Sequence, residues 1–256
     1  MTSRKHPPLF RYMQTLQGEQ PWGRLLDAGT GVQSIRWVTD LTTESWTAIS
    51  ASPSHADKVA KAAGTAQREG DQIVLGNWAD PELLKGEVFD TVIADYLLGA
   101  IEGFTPFFQT FLFRRLRPLT GKTLYIKGLE PYVPIPRPDD KAGALIWEIG
   151  RHRDACILLS GDVPYREYPA QWTADQLQSA GFTVLSVKHF PIRHSAKFIN
   201  AQIDLCAPGL EKLTDRALAK SLTTRGEELR AEALALIKAD GALAFGHNYV
   251  IQAAPS

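Results

Sequence analysis

Cysteine is scarce in this sequence, with two residues among 256. Cys156 and Cys206 lie far apart along the chain, and neither belongs to a Cys-x-x-Cys pair. This pattern disfavours a disulfide-stapled secreted fold and a cysteine-rich zinc motif. We therefore expect two buried free thiols in a reducing compartment, and no metal site.

The sequence also lacks an excess of charge of either sign. Lys and Arg together number 28, as do Asp and Glu, so no basic surplus indicates a nucleic-acid partner. No stretch approaches the roughly 20 apolar residues that span a bilayer, and the first residues lack the apolar segment of a secretory signal. We expect a cytoplasmic protein with a small-molecule substrate, no nucleic acid and no membrane partner. The oligomeric state is left open.

Apolar runs alternate with amphipathic segments along most of the chain. Because the runs are continuous and helices separate them, they predict a parallel sheet covered on both faces, in an α/β fold. Strands are predicted at 23–29, 45–52, 71–77, 89–96, 122–130, 182–192 and 247–254. Helices are predicted at 7–19, 32–43, 53–70, 80–86, 104–121, 143–161 and 173–181, and residues 193–246 are expected to be mostly helical.

We expect a single domain over residues 1–256, with additions to the alternating core. Residues 1–22 form a predicted N-terminal helix or lid, and 131–170 and 193–246 are predicted insertions over the substrate side. The first insertion opens with the proline-rich stretch PYVPIPRPDD, which predicts an irregular loop. The aromatic stripe Phe104, Phe107, Phe108, Phe111 and Phe113 is expected in the core.

The stretch RLLDAGTGVQS, residues 24–34, ends a predicted buried strand on a carboxylate and two glycines. Gly29 and Gly31 allow a tight turn and the close approach of a ligand. A dinucleotide-binding turn would need a third glycine, where this chain has Ser34. Asp27 would also repel a diphosphate, so the turn favours a ligand that carries positive charge.

The motif LLDAGTG and the order of elements resemble the class I S-adenosylmethionine-dependent methyltransferases, over about residues 23–253. The resemblance implies a three-layer α/β sandwich with a seven-stranded, mostly parallel sheet. Its last strand would be antiparallel and would lie beside the fifth. It also implies S-adenosylmethionine as cofactor and methyl transfer to an oxygen, nitrogen or sulfur atom of a small molecule.

The same resemblance assigns cofactor-binding roles by position. The turn after the first strand would cradle the methionine end, the residues after the third strand would lie along the adenine, and those ending the fourth strand would lie beside the methyl group. These residues are Asp27, Ala28, Gly29, Thr30, Gly31, Asn77, Trp78, Asp95 and Tyr96.

One position departs from the family pattern. The second strand of such enzymes ends on an acid that binds the ribose hydroxyls, whereas this chain has Ser50 there. A serine supplies hydrogen bonds but no charge, so weaker ribose anchoring is expected. Two alternatives stay open: an NADP-linked oxidoreductase, and a non-catalytic binding protein with the methyltransferase fold.

The sequence says less about the residues that would bind the methyl acceptor. Glu130 and His194 are the candidate general bases, since oxygen and nitrogen acceptors often lose a proton during transfer. The candidate substrate contacts are Tyr132, Glu148, Arg151 and Tyr165. Surface ion pairing explains the charged residues of this set equally well.

Overall fold

The computed structural model describes residues 6–256, and residues 1–5 of the predicted N-terminal segment lie outside that range. Seven strands form one sheet in the order β3-β2-β1-β4-β5-β7-β6, with β7 antiparallel to β5 and β6. The strands are β1 (Arg24–Asp27), β2 (Ser45–Ser50), β3 (Gln72–Leu75), β4 (Phe89–Asp95), β5 (Thr120–Leu129), β6 (Phe182–His194) and β7 (Leu243–Pro255). This order confirms the predicted mostly parallel α/β sheet with its last strand beside the fifth.

Ten helices occur in the described part of the chain. They are α1 (Pro8–Gln17), α2 (Val32–Val38), α3 (Pro53–Ala63), α4 (Leu97–Ala100), α5 (Gln109–Leu116), α6 (Lys141–Leu159), α7 (Ala170–Ser179), α8 (Ala196–Asp204), α9 (Ala207–Lys212) and α10 (Arg216–Asp240). Local chemistry sets several of the helix starts. Asp140 and Asp215 accept hydrogen bonds from the main-chain nitrogens of Gly143 and Leu218, which satisfies donors that a helix N-terminus leaves free.

The α1 helix packs through the apolar stripe that the sequence predicts. Leu9, Phe10 and Met13 are buried, and the Phe10 ring stacks on Trp37 with centroids 4.6 Å apart. At the end of the helix, Gln17 accepts a hydrogen bond from the Tyr125 hydroxyl on β5 at 2.8 Å. The helix is therefore fastened to the sheet by both apolar and polar contacts.

Two helical predictions are wrong. The segment predicted as a helix at 80–86 instead forms turns over residues 81–86, and the helix predicted from residue 104 begins only at Gln109. Phe107 adopts a left-handed φ of 68°, which interrupts a helix there. Its main-chain nitrogen donates to the buried carboxylate of Glu102 at 3.2 Å.

The aromatic stripe is consequently split between core and surface. Phe113 packs inside with Leu112 and Leu116. Phe104, Phe107 and Phe111 are exposed, which corrects the expectation that the whole stripe lies in the core. The helical spacing assumed from residue 104 does not apply to a segment that begins as turns.

The pairing of β4 with β5 contains one irregularity. Phe89 pairs with Thr120, whereas Thr91 pairs with Thr123, so β5 carries one extra residue between these pairs. Beyond it the pairing is regular and ends with Asp95 opposite Lys127. This shift decides which β5 residue faces the end of β4.

The chain divides into two compact units. The first comprises Met1–Leu129, Arg166–His189 and Tyr249–Ser256, and the second comprises Glu130–Tyr165 and Phe190–Asn248. The first unit contains the main apolar core around β1, β4 and β5, with Leu26, Val92 and Leu124 fully buried. None of the helices within residues 6–256 is long and apolar enough to cross a membrane.

The second unit brings the two cysteines together. Cys156 and Cys206 are both buried and free, and they meet His152 in one cluster. The expectation of buried thiols is confirmed. His152 lies one helical turn before Cys156 on α6, and the packing of the helices brings Cys206 to both of them.

Candidate functional site

The candidate site lies where the parallel strands of the first unit end. The carboxyl ends of β3, β2, β1, β4 and β5 are neighbours in that order, because these strands run parallel in one sheet. Open α/β sheets bind ligands at this edge, near the point where strand order reverses. Here the reversal occurs between β1 and β4, directly beside the glycine turn.

The turn after β1 is built around Ser34. Its hydroxyl donates to Oδ2 of Asp27 at 2.7 Å and accepts from the Gly31 main-chain nitrogen at 2.9 Å. The turn is also fastened to both neighbouring strands, since Ala28 N donates to Ile93 O and Thr30 N donates to Ile49 O. Ser34, which stands where a dinucleotide-binding motif has its third glycine, therefore organises this turn.

The carboxylate of Asp27 is completely buried. Burial raises its pKa to about 7, an effect that the nearby Asp95 reinforces and the Ser34 hydroxyl opposes. The Thr30 hydroxyl and the Gly29 main chain also lower this pKa. Neither they nor any other group among residues 6–256 forms a hydrogen bond of good geometry with Oδ1 of Asp27. A buried carboxylate oxygen without a donor favours binding of a ligand that brings one.

The two glycines of the turn differ in what surrounds them. A Cβ built on Gly29 would lie 2.9 Å from Leu97, so Gly29 is required by packing. A Cβ on Gly31 would meet no described atom within 4 Å, and the φ of Gly31, −133°, suits any residue. The open space over Gly31 is therefore not explained by the packing of the protein itself.

A buried ion pair joins the ends of β4 and β5. Nζ of Lys127 lies 2.8 Å from Oδ1 of Asp95, and both side chains are nearly inaccessible to solvent. Burial raises the pKa of Asp95, and Lys127 opposes that rise. The sequence analysis missed Lys127. A lone lysine in the apolar run LYIKGL was the available signal, because unpaired buried lysines are rare.

Aromatic rings surround the Lys127 ammonium. Nζ lies 4.3 Å from the ring centroid of Phe10 and 4.4 Å from that of Tyr96, within the range of cation–π attraction. Tyr96 adopts a left-handed φ of 51° where β4 leads into α4. Non-glycine residues in this conformation concentrate at functional sites.

Ser50 and Asn77 also lie at this edge, and their polar groups bond within the chain. The Ser50 hydroxyl donates to the carbonyl of Ser52 at 3.1 Å. Oδ1 of Asn77 accepts from the Thr105 hydroxyl at 2.8 Å and from the Ala79 nitrogen at 3.0 Å. Their assignment to ribose and adenine stays a prediction.

Trp78 requires a correction. The resemblance places Trp78 along the adenine, but the indole is buried in the main core. Its Nε1 donates to the carbonyl oxygen of Ala28 at 2.7 Å. Trp78 therefore supports the glycine turn from inside the protein, because its indole N–H fastens that turn to the segment after β3.

The second unit contains a groove of about 480 Å³ with a largely apolar lining. Two of the predicted acceptor-side residues, Glu130 and Tyr132, line it together with Ile135, Phe245 and His247. Glu130 follows β5 directly, and its main-chain nitrogen donates to the His247 carbonyl at 2.9 Å.

The other predicted acceptor-side residues do not line this groove. His194 is buried, and its Nε2 lies 2.9 Å from the Phe245 carbonyl, which can only accept. That nitrogen therefore carries a proton and is not available as a base. Burial lowers the pKa of His194, which keeps the ring neutral.

The remaining acceptor-side candidates lie on the second unit, where Glu148 and Arg151 contact neighbouring side chains. Glu148 forms ion pairs with Arg137 at 3.0 Å and Arg225 at 2.8 Å, which favours its reading as an ion-paired residue. The Arg151 guanidinium lies over the Trp147 ring at 4.7 Å. Tyr165 is exposed on the loop before α7. Their substrate roles stay predictions.

No protein-family model and no curated protein matches the sequence. Solved structures match over nearly the whole chain. A candidate methyltransferase from Bacillus halodurans C-125 is 14% identical with a TM-score of 0.60, covering 97% of this chain and 99% of its own. A mycolic acid cyclopropane synthase in complex with SAH and CTAB is 17% identical with a TM-score of 0.53, covering 93% and 79%.

The chain has the class I methyltransferase fold. The [4+2]-cyclase SpnF also shares this fold. It is 16% identical with a TM-score of 0.54, and the match covers 96% of this chain and 80% of SpnF. Since that protein is described as a cyclase, likeness at this level establishes the class I methyltransferase fold and leaves the reaction to be argued from the site.

The residues at the β1 turn fit the methionine end of S-adenosylmethionine. Asp27 offers a buried carboxylate oxygen without a hydrogen-bond donor among residues 6–256, and Gly31 borders space that no side chain in that range fills. A ligand ammonium would supply the donor that Oδ1 of Asp27 lacks. The ribose end is less well provided for, since Ser50 brings no charge there.

Proposed function

We propose that this protein binds S-adenosylmethionine and transfers its methyl group to a small-molecule acceptor. One observation carries the proposal. A fully buried carboxylate, Asp27, keeps one oxygen without a hydrogen-bond partner among residues 6–256, at the strand edge where this fold binds ligands. In the same turn, the Cβ position of Gly31 has no described atom within 4 Å. The likeness to a structure complexed with SAH supports the choice of cofactor.

The charges at the strand edge match this cofactor. Asp27 and Asp95 bring two negative charges when ionised, and Lys127 brings one positive charge, which leaves one uncompensated negative charge in a buried site. S-adenosylmethionine carries an ammonium, a sulfonium and a carboxylate, with a net charge of plus one. A dinucleotide phosphate would add negative charge to Asp27, which is unfavourable in a low-dielectric environment.

The chain's own residues would position the reactants. When bound, S-adenosylmethionine supplies an electrophilic methyl carbon on a positively charged sulfur. Asp27 would hold the ammonium, and Ser34 would fix the orientation of the Asp27 carboxylate through its 2.7 Å hydrogen bond. Lys127 holds Asp95 as a paired carboxylate beside Tyr96. Such fixed positioning supplies much of the rate of an in-line displacement.

A small molecule is the acceptor class that the chain favours. The overall charge is balanced, and the groove of the second unit has apolar walls that include Tyr132, Ile135 and Phe245. Pockets for small molecules are mostly apolar with a few polar groups. Glu130 and His247 would be those groups here. Glu130 stays the candidate base, and the acceptor atom is left open.

Calorimetric titration with S-adenosylhomocysteine and with NADPH tests the cofactor assignment. We expect the first ligand to bind and the second not to bind. Asp27→Asn should weaken binding by tenfold or more. Gly31→Ala should do the same while leaving the free energy of unfolding unchanged, because its methyl group meets open space in the protein alone. Binding of NADPH only, or undiminished affinity in both variants, would overturn the proposal.

The acceptor class has its own test. The protein is incubated with methyl-labelled S-adenosylmethionine and a cell extract, and the products are separated by size. Label in the small-molecule fraction is expected. Label only in protein or nucleic acid contradicts the small-molecule assignment. Cofactor binding with no transfer to any fraction would instead indicate a non-catalytic member of the fold.

A further inference from the structure

Three side chains that bind soft metal ions converge inside the second unit. His152 and Cys156 lie four residues apart on α6 and therefore share one face of that helix. Cys206 comes from the residue that precedes α9. The three candidate ligand atoms all lie within 4.8 Å of one another, and Nε2 of His152 is 3.7 Å from Sγ of Cys156.

The surroundings of this cluster are buried and largely apolar. All three residues are buried, and Leu210, Leu213 and Leu222 pack around the sulfurs. A Cβ on Gly226 of α10 would lie 3.0 Å from Nε2 of His152, so this glycine leaves room for the imidazole. The carbonyl of Gln202 accepts from the Cys206 thiol at 3.7 Å, a distance typical of a weak sulfur hydrogen bond.

The spacing of the ligand atoms suits a metal ion. With Zn–S of about 2.3 Å and Zn–N of about 2.0 Å, tetrahedral coordination separates sulfur and nitrogen by about 3.5 Å. The observed separation of 3.7 Å agrees with this value. A disulfide would use only the two sulfurs and would leave the convergence of the imidazole unexplained.

We propose that His152, Cys156 and Cys206 form a structural Zn²⁺ site. Two thiols and one imidazole exclude Ca²⁺ and Mg²⁺, which take oxygen ligands. Two thiolates also neutralise a divalent ion, so the buried complex has no net charge, whereas Cu⁺ would leave one negative charge buried. Binding one Zn²⁺ releases two thiol protons. A water molecule or the Gln202 carbonyl would complete the four ligands.

This site would join parts of the second unit that are distant in sequence. Its ligands link the middle of α6 to the junction between α8 and α9. A metal cross-link of this kind favours the folded state, because it binds the assembled ligands and not the separated ones in the unfolded chain. The proposal is independent of the cofactor site.

The first measurement uses the full-length protein and Co²⁺ or Zn²⁺ alone. After incubation with Zn²⁺ and desalting, we expect one equivalent of zinc per chain. Replacement by Co²⁺ should give the near-ultraviolet charge-transfer absorption of two cobalt–thiolate bonds and the visible bands of a tetrahedral ion. Both thiols should resist alkylation in the loaded protein and react after chelation.

Variants locate the ion. Cys156→Ser, Cys206→Ser and His152→Gln should each lower zinc content at least tenfold, whereas the control His55→Gln, on α3 of the first unit, should retain one equivalent. If a variant fails to fold, the cobalt charge-transfer absorption of the unaltered protein still gives the number of thiolate ligands. Wild-type protein with less than a tenth of an equivalent of zinc and no cobalt–thiolate absorption would overturn the proposal. So would zinc binding that all three variants retain, or two cysteines joined in a disulfide.

Discussion

Nζ of Lys127 lies 2.8 Å from Oδ1 of Asp95, and the two residues are paired across β4 and β5. Each member of this buried pair depends on the other, since an ion buried without its partner loses the energy of hydration without compensation. The Asp95 carboxylate of this pair lies near the buried carboxylate of Asp27, and its negative charge raises the pKa of Asp27. The stability of the strand edge and its affinity for a cation are therefore linked.

Lys127→Met should be strongly destabilising, because it leaves the Asp95 carboxylate buried without its cation. We expect a loss of about 3–5 kcal/mol in the free energy of unfolding, measured by urea denaturation. Adding Asp95→Leu should recover much of the loss. The control Lys85→Met removes an exposed pair with Glu82 and should change stability by about 0.5 kcal/mol or less. Equal effects in the two single variants would contradict the importance of burial.

The stability of the protein should fall as pH rises through the pKa of Asp27. That pKa is about 7 in the folded protein and 3.8 as the ordinary value, so the folded state binds the proton more tightly. Its contribution is fully present below pH 4 and is lost as pH rises through 7. Urea denaturation at pH 5, 6, 7 and 8 should show this decline.

Asp27→Asn isolates the effect, because asparagine keeps the shape and cannot ionise. The difference in stability between wild type and this variant should grow with pH up to about 8, in favour of the variant. Asp57→Asn changes an exposed position on α3, and the stability of this variant should change with pH in the same way as that of the wild type. A constant difference between wild type and Asp27→Asn would show that Asp27 does not titrate in this range.

Trp78→Phe tests the internal support of the glycine turn. The change removes the Nε1 hydrogen bond to Ala28 and should destabilise the protein by about 1–3 kcal/mol. Trp147→Phe is the matched control, because its Nε1 donates to Ile135 at an exposed position, and it should have a smaller effect. S-adenosylhomocysteine affinity should fall only for Trp78→Phe. If both variants keep full affinity, the turn does not depend on this contact.

Ser50→Asp restores the acid that the family pattern places at the end of β2. If the side chain faces the ribose, S-adenosylhomocysteine should bind equally well or more tightly, measured by calorimetry. Ser54→Asp, an exposed neighbour, controls for the added charge and should leave affinity unchanged. A several-fold loss in Ser50→Asp alone would mean that this position does not face the ribose.

Much of the fold follows from local sequence patterns. All seven strands were predicted, because each buried strand carries a run of apolar residues and glycine or proline marks many of the boundaries. The predictions failed where tertiary contacts override local pattern. Phe107 and Gln109 lie in the stretch 104–121, whose spacing predicts a helix, yet both donate hydrogen bonds to the buried carboxylate of Glu102 before it.

The candidate site was predictable only in part. Asp27 and the two glycines stand out because a charge and a flexible turn follow a buried strand. Lys127 does not stand out by motif, since its importance comes from pairing with Asp95 across the sheet. The spacing of His152 and Cys156 indicates a shared helix face, but the approach of Cys206 to them depends on helix packing, which spacing along the chain does not reveal.

The extra residue in β5 near Gly121 has a consequence for length variation in this protein. With it, Asp95 stands opposite Lys127; a single-residue insertion there, with the Phe89–Thr120 pair and the bulge retained, would bring Ile126 opposite instead, with the alternation of side chains inverted. The carboxylate would then face an aliphatic neighbour. A one-residue insertion at this point, which lies far from the glycine turn along the chain, should therefore be tolerated less readily than deletion of the extra residue, which leaves Asp95 opposite Lys127.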